Sequence, residues 1–195
     1  MKKIFLGLAL VAGTFAFSQK TSASAASTSP VRFGLKAGLN ISTISNSDLN
    51  SKAGFYGGAF ANIPVAQDFS VQPEVLYSGM GGKAKSNSDL KLNMDYIAVP
   101  VMLQYNLIPN LYVEAGPQFA FLISAKGKGN GASVDVKDNF KTFDFGIGLG
   151  AGYYFTQNIG VNLRYTAGLS DIAKDRIGGD SSKNGVFQIG LAYKF

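Results

Sequence analysis

The sequence predicts an all-β fold: an eight-stranded antiparallel up-and-down transmembrane β-barrel. Three regularities predict it. The first is alternation. In Gly185–Phe195, residues Phe187, Ile189, Leu191, Tyr193 and Phe195 point one way, and Val186, Gln188, Gly190, Ala192 and Lys194 the other. A period of two means a strand with two different environments on its faces. One large apolar face and one small or polar face suit lipid outside and a polar interior. The second is connection length. Long polar connections near 43–51, 81–90, 126–141 and 171–184 alternate with short turns near 64–68, 107–110 and 156–158. One rim then carries every long loop, as in outer-membrane barrels. The third is aromatic placement. Phe69, Tyr105, Tyr112, Phe155 and Phe195 fall where strands meet the short-turn rim or the C-terminus, the level at which barrels carry an aromatic girdle.

Met1 to Ser18 reads as a signal peptide: Lys2-Lys3, a compact apolar stretch from Ile4 to Phe17, and small residues before the cut. Cleavage is expected after Ser18, with Ala23 and Ala25 as alternatives. Residues 19–30 are rich in Ser, Thr and Ala and read as a flexible periplasmic linker. The barrel is expected over 31–195. Strand one alternates Val31, Phe33, Leu35, Ala37, Leu39 and Ile41 with Arg32, Gly34, Lys36, Gly38, Asn40 and Ser42. Strand two, about Lys52 to Ile63, is glycine-rich. Strand three runs from Phe69 to about Met80, and strand four from about Lys91 to Asn106. Pro73 and Pro100 lack a ladder donor, so each marks a bulge or a donor position left unpaired. Strand five, Leu111 to about Ala125, turns Tyr112, Glu114, Gly116, Gln118 and Ser124 inward. Strand six is the cleanest, with Phe143, Phe145, Ile147, Leu149, Ala151 and Tyr153 against Asp144, Gly146, Gly148, Gly150 and Gly152. Strand seven covers Ile159 to Ser170, and Gly185–Phe195 is strand eight. An even strand count puts both termini on the periplasmic side. Closure of strand eight on strand one removes exposed edges.

The inward face carries Arg32, Lys36, Glu74, Glu114, Asp144, Arg164 and Lys194. In a soluble sandwich these charges would sit in a core at severe cost. In a small barrel they can pair, and glycines make room for them. A structural network in a filled lumen is the expected role; a narrow polar conduit is the alternative. The chain has no Cys, His or Trp. Cys/His metal sites are thereby excluded, and a serine nucleophile would lack a suitable base. No enzyme activity and no cofactor are expected. Asp171, Asp175 and Asp180 lack EF-hand spacing, and Gly127-Lys-Gly-Asn-Gly131 lacks the Lys-Ser/Thr ending of a phosphate loop. It reads as a mobile extracellular loop. Net charge is +6, or +4 (+6 − 2) once Lys2 and Lys3 are removed. The basic residues are scattered among Asp, which argues against nucleic acid as a partner.

Phe33-Gly-Leu-Lys-Ala-Gly-Leu-Asn40, Gln72-Pro-Glu-Val-Leu-Tyr77, Asp95 to Tyr105 and the glycine-rich strand six resemble the outer-membrane β-barrel family of Bacteroidota, the PorT-like or porin-family proteins. The overall barrel is similar to the small OmpX and OmpA transmembrane domains. Gln188, Gly190, Tyr193 and Phe195 match the terminal signal read by barrel-assembly machinery. The resemblance implies an outer-membrane location and this fold, and no catalytic set. The expected partners are outer-membrane lipid, lipopolysaccharide, the assembly machinery and a protein partner at the long loops. Lys83, Lys85, Lys126, Lys128, Lys174 and Arg176 lie there. PorT-like membership would imply an accessory role in a secretion apparatus.

Overall fold

The computed structural model describes residues 30–45, 49–84, 90–129, 132–172 and 182–195. The expected signal peptide lies outside them, as does all of the linker except Pro30. Eight long strands form the wall: β1 (Arg32–Ile44), β2 (Lys52–Pro64), β3 (Phe69–Ala84), β4 (Lys91–Ile108), β5 (Leu111–Gly129), β6 (Phe143–Tyr154), β7 (Ile159–Gly168) and β8 (Asn184–Lys194). Each pairs antiparallel with its sequence neighbours. The β1–β8 ladder, from Gly34↔Lys194 to Ile44↔Asn184, closes the ring. Closure leaves the eight-stranded wall itself without an open edge.

Alternation decides which side chains face out. On β1, Phe33, Leu35, Leu39 and Ile41 are exposed while Lys36, Asn40 and Ser42 are buried. The same division holds on β8, where Phe187, Ile189, Leu191 and Tyr193 are exposed and Val186, Gln188 and Ala192 are buried. The outer surface is thus a continuous apolar belt, inverted relative to a water-soluble protein.

The strands are uneven. β3, β4 and β5 have 16, 18 and 19 residues, while about 9–11 tilted residues cross a bilayer. They project beyond the belt at the long-loop end. Connections expected as loops are therefore partly sheet. Within 43–51, Leu49–Asn50 pairs with Ala84 and Lys83. Residues 81–84 and 126–129 extend β3 and β5, and Ala132–Asp135 pairs back on β5. A 3-10 turn follows at Lys137–Asn139. Gly127, Lys128 and Gly129 of the expected mobile loop are strand residues; its remaining two, 130 and 131, lie outside the described set.

Neither Pro73 nor Pro100 creates a bulge. The ladder skips at both, yet Pro73↔Val101 and Leu76↔Ala98 keep one register, as do Pro100↔Gln118 and Leu103↔Ala115. The ladder shifts register instead near the short turn, between Asn106 and Ile108, and between Asp95↔Ser124 and Tyr96↔Leu122, where Ile123 is unpaired. That extra residue reverses parity. Ala125, not Ser124, becomes the fully buried position. The short turn at Pro109–Asn110 holds Asn110 at φ 78°, a left-handed conformation that Asn tolerates.

Candidate functional site

The interior is layered. In the middle, Lys36 Nζ donates to Glu74 Oε1 at 2.6 Å. Arg164 grips the same carboxylate with both terminal nitrogens, Nη1 to Oε2 and Nη2 to Oε1, each 2.8 Å. Its Nε donates to Glu114 Oε1 at 2.8 Å and its Nη2 lies 2.7 Å from that oxygen. Two cations and two carboxylates from β1, β3, β5 and β7 balance one another across the lumen. All are buried; Arg164 is 2% exposed. A fork-shaped guanidinium suits this bridging role, since one residue satisfies two carboxylates.

Amides complete the cluster. Gln72 Nε2 donates to Glu74 Oε1 and Gln104 Nε2 to Glu114 Oε2, each at 2.8 Å. Asn62 Nδ2 donates to Ser70 Oγ and to Gln104 Oε1, each at 2.9 Å. These side chains were absent from the sequence-level candidates. They sit at inward parity, and that was their only sequence signal.

β6 explains how such a cluster fits in a narrow barrel. Gly146, Gly148, Gly150 and Gly152 face inward in register with Gln118, Gly116, Glu114 and Tyr112 of β5. A Cβ on Gly150 would lie 2.6 Å from the Leu163 carbonyl oxygen and 3.0 Å from Glu114 Oε1. The Glu114 side chain and the Leu163 carbonyl occupy the space that a side chain would take. Gly150→Val is expected to lower stability by about 1–3 kcal/mol through overpacking, read as a lower urea midpoint of the barrel folded in lipid vesicles.

The seven charges expected in one network separate into three places. Lys36, Glu74, Glu114 and Arg164 form the cluster above. Asp144 lies toward the long-loop end, where it accepts from Ser170 Oγ at 2.5 Å and from Asn184 Nδ2 at 2.7 Å. Neutral donors hold it, not a cation. Arg32 and Lys194 lie at the short-turn mouth. Arg32 Nε donates to the Phe195 carbonyl oxygen at 3.2 Å, and Lys194 Nζ stands 3.9 Å above the Tyr154 ring. These two line a cavity of about 550 Å³ with Asp68, Tyr112 and Tyr154.

Beyond the ion cluster, toward the long loops, an apolar cluster shares the lumen with Asp144 and Asn184. Leu76, Met80, Met94, Tyr96, Leu122 and Ile172 pack together there, with Leu92, Val136 and Phe140 against them. The ion cluster and this apolar layer lie one above the other along the lumen. Between them Asn40 donates to Ser78 Oγ at 2.8 Å and accepts from Gln188 Nε2 at 2.9 Å.

Of the expected aromatic girdle, Phe69, Tyr105, Phe155 and Phe195 face outward, and the Phe69 and Tyr105 rings pair at 4.8 Å. Tyr112 does not belong to it. It is 2% exposed and its ring meets Tyr154 inside the barrel at 5.9 Å. Leu111 and Val113 take the outward positions on either side, so parity sends Tyr112 inward with Glu114. Among the residues of the expected assembly signal, Gln188 is buried and bonded to Asn40. Gly190 faces inward, where a Cβ would lie 2.3 Å from the Tyr56 hydroxyl. Tyr193 and Phe195 face outward and touch edge to face at 5.5 Å. Asp171 accepts from Ser182 N at 3.1 Å, with Lys141 Nζ at 3.7 Å; Asp175 and Asp180 lie outside the described residues.

A family model described as outer membrane protein beta-barrel domain matches residues 17–174. The chain belongs to this outer-membrane β-barrel family. Membership carries an outer-membrane location with it. No curated protein matches the chain. Among solved structures, it is similar to Neisserial surface protein A at 15% identity, over 86% of this chain and 100% of that one, with a TM-score of 0.59. It is also similar to Ail, the attachment invasion locus protein of Yersinia pestis, at 15% identity over 85% and 97%, with a TM-score of 0.51. At such identities the likeness is one of fold. The family's apolar belt and closed ring are thus present here with a lumen built by this chain's own residues.

Proposed function

We propose that the protein is a non-enzymatic outer-membrane barrel with a side-chain-filled interior, acting in a structural or surface-interaction role through its long-loop end. The observation that carries this reading is the lumen. Lys36, Glu74, Arg164 and Glu114 span it, with the apolar layer around Met94 and Leu122 above. Barrels of about eight strands are normally filled in this way. The absence of His from the chain and the neutral partners of Asp144 favour a role without catalysis. In this reading the long-loop end faces the exterior and both termini face the periplasm. Residues 1–18 direct export, and Gln188, Gly190, Tyr193 and Phe195 serve recognition by assembly machinery. Purified protein in planar bilayers is expected to show no porin-like conductance. Open-channel currents at porin levels would overturn the filled-lumen reading in favour of a narrow channel.

The resemblance of Gln72–Tyr77 and Asp95–Tyr105 to PorT-like proteins favours a second reading, an accessory part of a secretion apparatus. A deletion strain that loses secreted cargo would support it over the first.

A further inference from the structure

The outward face of β3, β4 and β5 changes character in the same order on all three strands. Low on the wall it is apolar, with Val75 and Tyr77, Ile97 and Val99, Phe119 and Phe121. Next comes a row of Gly79, Asp95 and Ser124, then one of Gly81, Asn93 and Lys126. The row above consists entirely of lysine. Lys83 is paired with Lys91, and Lys91 with Lys128. All three are exposed. Like charges directly opposite in a sheet repel, so this row is unfavourable unless an anion neutralises it. Among the described residues no carboxylate lies within 4.0 Å of Lys83, Lys91, Lys126 or Lys128. Asp95 accepts from the Tyr77 hydroxyl at 2.8 Å, and Asp135 stands opposite Lys126 on the returning strand.

We propose that the Lys83–Lys91–Lys128 row, with Lys126 beneath it, binds phosphate groups of an anionic glycolipid in the outer leaflet. The proposal rests on the orientation given above, with the long-loop end outward. Depth favours a lipid as the occupant. Fourteen residues separate Phe69 from Lys83, which at about 3.3 Å per residue and a tilt near 45° is a rise of roughly 33 Å. The apolar belt is about 25 Å tall. Lys83 therefore stands about 8 Å beyond it, at the level of lipid headgroups, and its register partners Lys91 and Lys128 lie within several Å of that height on the same outward face. The long β3–β5 strands carry them there on rigid sheet.

The test uses full-length protein folded in zwitterionic nanodiscs. It is titrated with fluorescent lipopolysaccharide, with the same lipopolysaccharide after dephosphorylation, and with inorganic phosphate as competitor. The wild type is expected to bind the phosphorylated form and to lose most affinity for the dephosphorylated one. At about fivefold per lysine near an anionic surface, K83Q/K91Q/K128Q should bind roughly a hundredfold more weakly. Without glycolipid that variant should unfold no more easily than the wild type, because repulsion is relieved. If the triple variant does not fold, K91Q alone should weaken binding about fivefold. Equal binding by the variant and the wild type, or by the two glycolipid forms, would overturn the proposal. Competition by inorganic phosphate at the glycolipid's own concentration would overturn the assignment to lipid. A chain found in the soluble fraction, with no heat-dependent gel shift, would remove the orientation and both readings with it. A heat-modifiable barrel with unchanged variant binding would remove only the lysine row.

Discussion

Arg164→Met is expected to destabilise the barrel by about 3–5 kcal/mol, because it strands two buried carboxylates. In the wild type Arg164 satisfies both oxygens of Glu74 and one of Glu114. Lys36 alone remains after the substitution, and it reaches only Glu74. Glu114 keeps a single neutral donor, Gln104. The loss should appear as a reduced urea midpoint in lipid vesicles and as loss of the heat-dependent gel shift at lower temperature. Arg164→Lys should fall between, since one ammonium cannot bridge two carboxylates as the guanidinium does. The decisive comparison is Arg164→Met with Glu114→Gln. That pair removes one charge of each sign and leaves Lys36–Glu74 intact. It should recover more than half of the loss, as replaced buried ion pairs often do. A double variant as unstable as Arg164→Met would mean that the arginine acts by packing rather than by charge.

Which face each residue takes was legible because alternation is a local property. Leu35 and Lys36, or Leu149 and Gly150, can be assigned from immediate neighbours. Who meets whom across the lumen was not legible. Glu74 and Arg164 are 90 residues apart, and their contact depends on closure and on the stagger of every strand between. Gln72, Gln104 and Asn62 look like any polar inward residue until the carboxylates beside them are known. The apolar layer was hidden for a different reason. Leu122 lies within Phe121-Leu-Ile123, where both faces are apolar and alternation carries no contrast. Ile123 then adds a bulge that neither Gly nor Pro announces. For Tyr112 nearness to a rim and parity point opposite ways, and parity, set by Leu111 and Val113, decides.

The outer surface invites the opposite kind of substitution. Leu149 lies midway along the outward residues of β6, between Phe143 and Tyr153, and is 61% exposed. In water an exposed leucine replaced by arginine would change stability by about 0.5 kcal/mol or less. Facing hydrocarbon near the midplane of a bilayer, the same change costs about 2–4 kcal/mol. Leu149→Arg therefore measures the solvent around the barrel rather than any contact within it. Phe155→Arg, at the short-turn rim and 60% exposed, is the matched control, because the cost there falls to about 0–1 kcal/mol. Both variants should be refolded into vesicles and unfolded with urea. A large loss at Leu149 with a small one at Phe155 is the depth profile of a membrane wall. Equal, small losses at both would place the apolar belt against water or another protein surface. The neighbouring residue gives an internal check. A side chain added at Gly150 points into the lumen toward Glu114, so the loss at Gly150→Val should persist when vesicle lipids are changed to alter bilayer thickness, while the loss at Leu149→Arg should respond.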